Sequence, residues 1–590
     1  YWGRAALASE ESSNANNIFG QMAGATGFNT VWRLNASVYG IITPYKGLNI
    51  EGTFNYSPTF TDKSSYSRQN GYWDYVTDQR VSESALENAS ITNTSARTWR
   101  QSAEILVRYQ TTIKKDHDLG ALLGYSAQEY YSKSFAVSRK GATDWTLNEL
   151  STYETLVSSS SSAPAKWGLL SYFGRVNYGY KGRYLFEANL RADASSRFGV
   201  NQRWGYFPSF SGGWRISEES FMQGASDYLS NLKLRVSWGK TGNNSTGNYD
   251  WQANYATGNV VIDGEGTKGL VRKKLSNDKL HWESTATTDI GLDFGFFNNR
   301  LSGSVDLYQR LRKDVILEKN LMSYQEVKTI DYNSATVYRA RGIDIGIHSV
   351  NFDNKNFGWT TDINFSYYRN HTTKRDPDFI PAVYQDYVER WDNIYGYRTN
   401  GLIQMDRTYN HLQKSGAGAI LYQDLNGYQL DEKGEKMRDS EGRYIRTTGE
   451  DGVLDEADMV VLANSTPIPF SINNTFRWKN WDANIYLYGS LNGWKVNDIK
   501  LQSIYGIEDI TYGVNVLDEV KNRWSPANPM GTLPGVAEAS SGVDPKKSDF
   551  FLEKAWYLRL DNVSIGYTFP AQWFKNKIRS VRLYAAGRNL

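Results

Sequence analysis

The sequence has no cysteine, only five histidines and thirteen prolines in 590 residues. Without thiols there is no disulfide, thiolate metal site or cysteine nucleophile, and either redox compartment is compatible. His117, His281, His348, His371 and His411 are scattered without HExxH or paired spacing, so zinc chemistry has no anchor. Neither a G-x-S-x-G elbow nor a P-loop occurs, and carboxylates are spread too evenly for spacing to single out a glycosidase pair. No residue set therefore supports an enzyme. Long apolar runs are also missing: none approaches the ~20 residues of a spanning helix, and mean hydropathy is −0.58, which excludes a helical membrane protein. The charge balance, 66 Lys plus Arg against 63 Asp plus Glu, lacks the concentrated basic character of a nucleic-acid binder.

What the chain does have is rings and glycine: 41 Tyr, 24 Phe, 19 Trp and 51 Gly, too much aromatic surface for a disordered chain. Period-two alternation recurs along it. Tyr184, Phe186, Ala188, Leu190 and Ala192 alternate with Leu185, Glu187, Asn189, Arg191 and Asp193. Segments 48–56, 287–297, 301–310, 359–368, 482–490, 563–569 and 581–590 behave likewise. Each suits a tilted strand of about nine to eleven residues, the length that crosses a bilayer.

Connections between these runs are of two kinds. Pro44-Tyr45-Lys46-Gly47, Tyr180-Lys181-Gly182-Arg183, Asn298-Asn299-Arg300 and Lys479-Asn480 are tight, whereas 57–97, 132–166, 239–280, 371–468 and 497–553 read as long polar loops. Short turns at one rim and long loops at the other predict an all-β fold, a large transmembrane antiparallel β-barrel with long extracellular loops. Tyr178, Tyr180, Tyr184, Phe296, Phe297, Trp478 and Trp481 beside the tight turns match an interfacial girdle. Half-buried strands of soluble sandwiches alternate too, so a secreted all-β glycan-binding protein is the competing reading. It predicts polar outer faces on both sides of the sheet.

Rings beside carboxylates and amides in the loops, at Tyr72, Trp73, Tyr75, Trp145, Trp204, Tyr206, Trp251 and Trp391, suit stacking on sugar faces; packing between loops or a place in the girdle would use the same rings. Asp451, Asp455 and Asp458 around Gly452 resemble part of a calcium loop, with Asp424 and Asn426 as further ligands if the chain folds back. The pattern is incomplete, and a solvated acidic turn is the alternative; no other cofactor is indicated. The chain begins at Tyr1-Trp2-Gly3 and stops at Arg588-Asn589-Leu590 inside an alternating run, so it reads as part of a longer protein.

An ordered set of strings carries a family resemblance. It comprises Ser171-Tyr172-Phe173-Gly174-Arg175-Val176-Asn177-Tyr178, Ala194-Ser195-Ser196-Arg197-Phe198, Trp204-Gly205-Tyr206-Phe207-Pro208-Ser209, Gly213-Trp214-Arg215-Ile216-Ser217 and Leu232-Lys233-Leu234-Arg235-Val236-Ser237-Trp238-Gly239. Trp282-Glu283, Asp289-Ile290-Gly291-Leu292-Asp293, Asn522-Arg523-Trp524-Ser525-Pro526 and Tyr557-Leu558-Arg559-Leu560-Asp561-Asn562 continue it. With these the chain resembles the SusC family of TonB-dependent outer-membrane transporters of the Bacteroidota. The resemblance implies a 22-stranded barrel around a plug, of which residues 1–590 would be a partial barrel, about sixteen strands by alternation, without plug or closing strands. It further implies import across the outer membrane of oligomeric nutrients, glycan fragments first and peptides as the alternative. The implied partners are a SusD-like lipoprotein, the TonB-ExbB-ExbD complex acting through the plug, and outer-membrane lipids.

Overall fold

The computed structural model describes residues 25–67, 72–74, 79–81, 89–143, 147–262, 264–321, 327, 329–404, 409–410, 415–505, 517–535, 543–575 and 577–590. Alternating, β-branched and aromatic segments become the strands of one 19-stranded antiparallel sheet. Its main members are β1 (Ala25–Arg33), β2 (Ala36–Tyr45), β3 (Leu48–Ser67), β4 (Ser90–Ile113), β5 (His117–Ala142) and β6 (Ala165–Tyr180). There follow β7 (Tyr184–Ser195), β8 (Trp204–Arg215), β9 (Leu229–Asn243), β10 (Glu283–Phe296), β11 (Leu301–Lys313) and β12 (Val337–Asp353). The last are β13 (Phe357–Lys374), β14 (Pro469–Trp478), β15 (Trp481–Ser490), β16 (Tyr557–Phe569) and β17 (Val581–Arg588). Each pairs with the next in a simple meander, while β1 and β2 both pair with β3 in one register (Arg33↔Thr59, Ala36↔Tyr56) and form one stave. The sixteen staves agree with the count expected from alternation. Short strands Tyr153–Ser161 and Glu389–Arg390 add to the outer ends of β5 and β13.

Burial is inverted relative to a soluble sandwich. Leu123, Val176, Leu190, Phe210, Val236, Ile290, Leu307 and Ile565 are exposed on the convex face, whereas the alternating polar set is half-buried and hydrogen-bonded. On that face Arg191 pairs with Asp193 at 2.8 Å, Arg108 with Glu51 at 3.1 Å, and Arg235 reaches Asp293 and Asp306, both at 2.8 Å. The polar face is concave: Gln110 of β4 and Asp289 of β10 line one cavity of about 1140 Å³, although six strand spacings part them along the sheet. Apolar groups outside and charges inside is the arrangement a bilayer requires, because lipid meets the outer face and water the lumen. No helix among the described residues is long and apolar enough to cross a membrane.

All the hairpins joining β2–β3, β4–β5, β6–β7, β10–β11, β12–β13 and β14–β15 lie at one rim and are tight. At Gly47 the backbone takes φ +92°, and a Cβ there would run into the carbonyl of Gln110, so glycine is required. The girdle expected at this rim is present: Tyr180 and Tyr184 stack at 6.3 Å, Trp481 lies 4.9 Å from Tyr567, and Trp359 lies between Phe352 and Phe476.

Two expectations need correction. Strands are not limited to nine to eleven residues: β4 has 24 and β5 has 26, and segments 57–97 and 132–166, expected as loops, are largely strand. Beyond the bilayer both faces meet water, so the ladder is built from serine and threonine without apolar alternation. Thr92–Ser138 and Thr98–Ser132 hydrogen bonds, at 3.0 and 3.2 Å, tie it across strands. Segments 239–280 and 371–468 likewise begin as strand, to Asn243 and Lys374.

Candidate cargo-binding site

The polar surface comprises the lumen wall and the outer rim above it. From β7 to β11 the wall is charged, with Glu187, Lys233, Arg235 and Asp289 around the large cavity. From β12 to β16 amides stand beside the acidic Asp344 and Asp362. There His348 and Asp362 meet at 2.6 Å, Asn484 donates to Asn473 at 2.7 Å, Asn562 donates to Asn484 at 3.1 Å, and Asn364 donates to Ser471 at 3.2 Å. With Tyr486, which stacks on Tyr488 at 6.4 Å, these amides line a second concavity of about 700 Å³. An amide offers donors and acceptors together, so such a wall matches hydroxyl-rich solutes without demanding charge.

Above this amide-rich arc stands a lobe made from the two longest connections, 375–468 and 491–556. Tyr397, Leu402, Ile420 and Tyr422 of the first pack with Leu501, Ile504, Trp524 and Phe551 of the second in one apolar cluster. α1 (Asp498–Tyr505) supplies Leu501 and Ile504. Polar ties lock the two together. Tyr397 N–H donates to the Lys547 carbonyl at 2.7 Å, and Asp549 accepts from the Thr399 N–H and hydroxyl at 3.0 and 2.6 Å. Burial opposes ionisation of Asp392, yet hydrogen bonds from Arg390 and Thr466 hold its pKa below the ordinary value. Burial, reinforced by Glu456, Asp458 and Asp455, pushes the Tyr397 phenol up to about 12. Next to the lobe, Lys274 bridges Asp250 at 3.0 Å and Asp331, joining segments 244–282 and 314–336.

The structure scatters the expected site residues. Trp391 is at the lumen mouth, 47% exposed, edge-on to Tyr338 at 4.2 Å with its indole N–H on Thr372. Trp204 and Tyr206 point outward with Tyr172, in the phase opposite to the lumen-facing Phe207, so they belong to the outer girdle and not to a cargo surface. Trp251 is half-buried in its own loop, its indole N–H without a partner. Tyr72 and Trp73 lie in a short strand, Tyr72–Asp74, paired with Gln79–Val81; Tyr75, Trp145 and His411 lie outside the described residues. Sequence reasoning missed Asn364, Asn473, Asn484, Tyr486 and Asn562, which were legible as the polar phase of alternating strands.

The acidic turn does fold back on Asp424 and Asn426. Asp424 accepts from the N–H of Asp451 and Gly452 at 3.2 and 2.8 Å, and fully buried Asp458 accepts from Leu425, Asn426 and Asp455 at 2.7, 3.0 and 2.9 Å. Asp455 caps residues 456–458 and pairs with Lys436 at 3.1 Å. These carboxylates are engaged with backbone and lysine. Among the described residues no three acidic or histidine side chains converge as a metal set.

A charged concave face, an apolar convex face, girdles, and loops gathered at one rim define an outer-membrane β-barrel. The chain belongs to the TonB dependent receptor-like, β-barrel family, whose profile matches residues 1–590. It is 29% identical over 533 residues to TonB-dependent receptor P3 of Formosa agariphila, covering 86% of this chain and 49% of that protein. It is 28% identical over 505 residues to TonB-dependent receptor SusC of Bacteroides thetaiotaomicron, covering 83% and 46%. The RagAB peptide transporter has the same fold, with a TM-score of 0.78 at 24% identity over 96% of this chain and 59% of that one. The chain thus spans about half the length of the curated relatives it matches.

Proposed function

We propose that this chain is most of the barrel of a TonB-dependent importer that carries oligomeric nutrients, foremost glycan fragments, across the outer membrane. The observation that carries the reading is the continuous polar wall running from the outer-rim lobe down the lumen. In the complete protein a plug fills the lumen and further strands close the sheet, since unpaired edges are not viable in lipid. The TonB-ExbB-ExbD complex acts on that plug, and a SusD-like lipoprotein docks on the lobe and traps cargo against the mouth. The amide-rich arc and Trp391 favour hydroxyl-rich oligosaccharides. Peptide cargo is the second reading, supported by the charged arc of β7 to β11. No residue constellation supports catalysis.

The test is growth of a deletion strain complemented with the complete gene, on a panel of neutral oligosaccharides, anionic oligosaccharides and peptides, with and without TonB. Growth on a neutral glycan that requires both genes supports the proposal. Uptake unchanged without TonB would refute active import, and growth on peptides alone would transfer the cargo to the second reading.

A further inference from the structure

The outward face of β12 and β13 carries an arrangement that nothing in cargo transport explains. Arg341 stands directly opposite Arg369, and Arg339 directly opposite His371, in adjacent strands. Arg390, opposite His371 on the other side, extends the row. Register puts all five on the convex face, in phase with Ile343, Ile345, Phe365 and Tyr367 and out of phase with the lumen residues Asp344 and Tyr368. Arg341 and Arg369 are like charges facing each other across the ladder, which is destabilising, so with Arg339 beside them the pair calls for an anion.

The protein does not provide one. Arg390 is matched by Asp392 at 3.0 Å. Among the described residues no carboxylate lies within ion-pair distance of Arg339, Arg341 or Arg369. Arg341 donates Nε to Gln309 at 2.7 Å, and Arg369 lies over the ring of Tyr367 and donates Nε to its hydroxyl, which leaves the terminal nitrogens of both exposed. The Nε of Arg339 is buried with no partner at all.

Height supplies the second argument. Trp359 of the lower girdle and Arg369 are ten residues apart on β13. That is about 33 Å along a strand at ~3.3 Å per residue, or about 25 Å of height at ~40° of tilt. The apolar band is about that tall, so the arginines sit where the headgroups of the outer leaflet lie. On β8 and β9 the upper part of the convex face carries the neutral rings Trp204, Tyr206 and Trp238 instead.

We propose that Arg339, Arg341, Arg369 and His371 form a binding site on the outer wall of the barrel for the phosphorylated headgroup of an outer-leaflet lipid. The guanidinium forks take the phosphate oxygens, and the acyl chains lie along Ile343, Ile345 and Phe365. The site faces away from the lumen and is independent of the cargo carried.

The complete protein, extracted from outer membranes in mild detergent and delipidated, tests this by native mass spectrometry with added monophosphoryl lipid A, fully dephosphorylated lipid A, or phosphatidylethanolamine. The wild type is expected to retain monophosphoryl lipid A in preference to the other two. The double variant R341Q/R369Q should retain it roughly tenfold less, and R341K/R369K should fall between. Equal retention by wild type and R341Q/R369Q, or equal affinity for the dephosphorylated lipid, overturns the proposal. Displacement by an equimolar amount of inorganic phosphate would reduce the site to a simple anion trap and also overturn it. Heat-modifiable migration on gels establishes that each barrel is folded, and the single exposed substitution R341Q replaces the double variant should that one not fold.

Discussion

Replacing Asp458 probes how the outer-rim lobe is held. The side chain is fully buried and accepts three backbone N–H groups, from Leu425, Asn426 and Asp455. Asp458→Ala leaves all three donors without a partner, at about 1–3 kcal/mol each. Burial of the carboxylate, which raises its pKa, is itself unfavourable and offsets part of this loss. The expected local cost is therefore about 3–5 kcal/mol, whereas Asp458→Asn, which keeps an acceptor of the same shape, should cost about 1–2 kcal/mol. Hydrogen exchange of the complete protein reads this directly. Amides around 420–428 and 456–464 should lose protection by about a hundredfold or more in the alanine variant, while those of β7 and β8 do not change. Less than about a threefold loss would show that the carboxylate does not organise the turn. The sign with pH is a further check. A folded pKa raised above the ordinary value means a contribution present at low pH and lost as pH rises through it, so acidification should not loosen this turn.

The Asp250–Lys274–Asp331 clamp carries the opposite sign. Burial disfavours the Asp250 carboxylate, but Lys274 and Thr246 hold its pKa below the ordinary value, and Lys274 is raised by the two aspartates against its own burial. Its contribution is present above the unfolded carboxylate value and lost as pH falls through the folded one. At the alkaline end it is lost as pH rises through the raised lysine pKa. Proteolysis of segment 244–282 should accelerate below about pH 4 and not between pH 5 and 9; acceleration within that plateau contradicts the assignment. Ile290 and Thr287 lie on opposite faces of β10. Ile290→Arg should cost about 2–4 kcal/mol and lower the yield of folded barrel, against about 0–1 kcal/mol for Thr287→Arg; equal yields would remove the assignment of faces. Trp391→Ala should slow uptake of the cargo found in the growth panel, whereas Trp204→Ala should leave it unchanged. The reverse ranking would return Trp204 to the cargo path.

Alternation made the bilayer-spanning part of the barrel readable, since lipid on one side and water on the other impose a strict two-residue period on stretches such as Tyr184–Ser195. The same logic hid the outer halves of β3, β4 and β5. Once both faces are wet, Ser64, Thr92 and Ser138 pair as well as any apolar residue and leave no periodic trace. Trp204 and Tyr206 have polar neighbours in the chain that suggest a loop surface. Their phase relative to Pro208 and Phe210 was the better guide, because it places them on the lipid side. The lobe core was beyond reach of local pattern, as Tyr397 and Phe551 meet only through the fold. The arginine pairs of β12 and β13 needed register, which no single strand reveals.

The unbroken ladders of β3, β4 and β5 also have a mechanical meaning. Twenty consecutive pairs join β3 to β4, and twenty-four join β4 to β5, with no bulge in either. Such a panel cannot bend at the membrane surface without breaking hydrogen bonds in series, so it stands as a fixed jamb beside the mouth. The lobe is joined to its surroundings by the short pairing at residues 389–390 and by Asp376 and Asp378, which bind Ser334, Ala335 and Lys319. Stiffness is therefore unequal around this rim, continuous with the wall on the panel side and carried by a few local contacts on the lobe side.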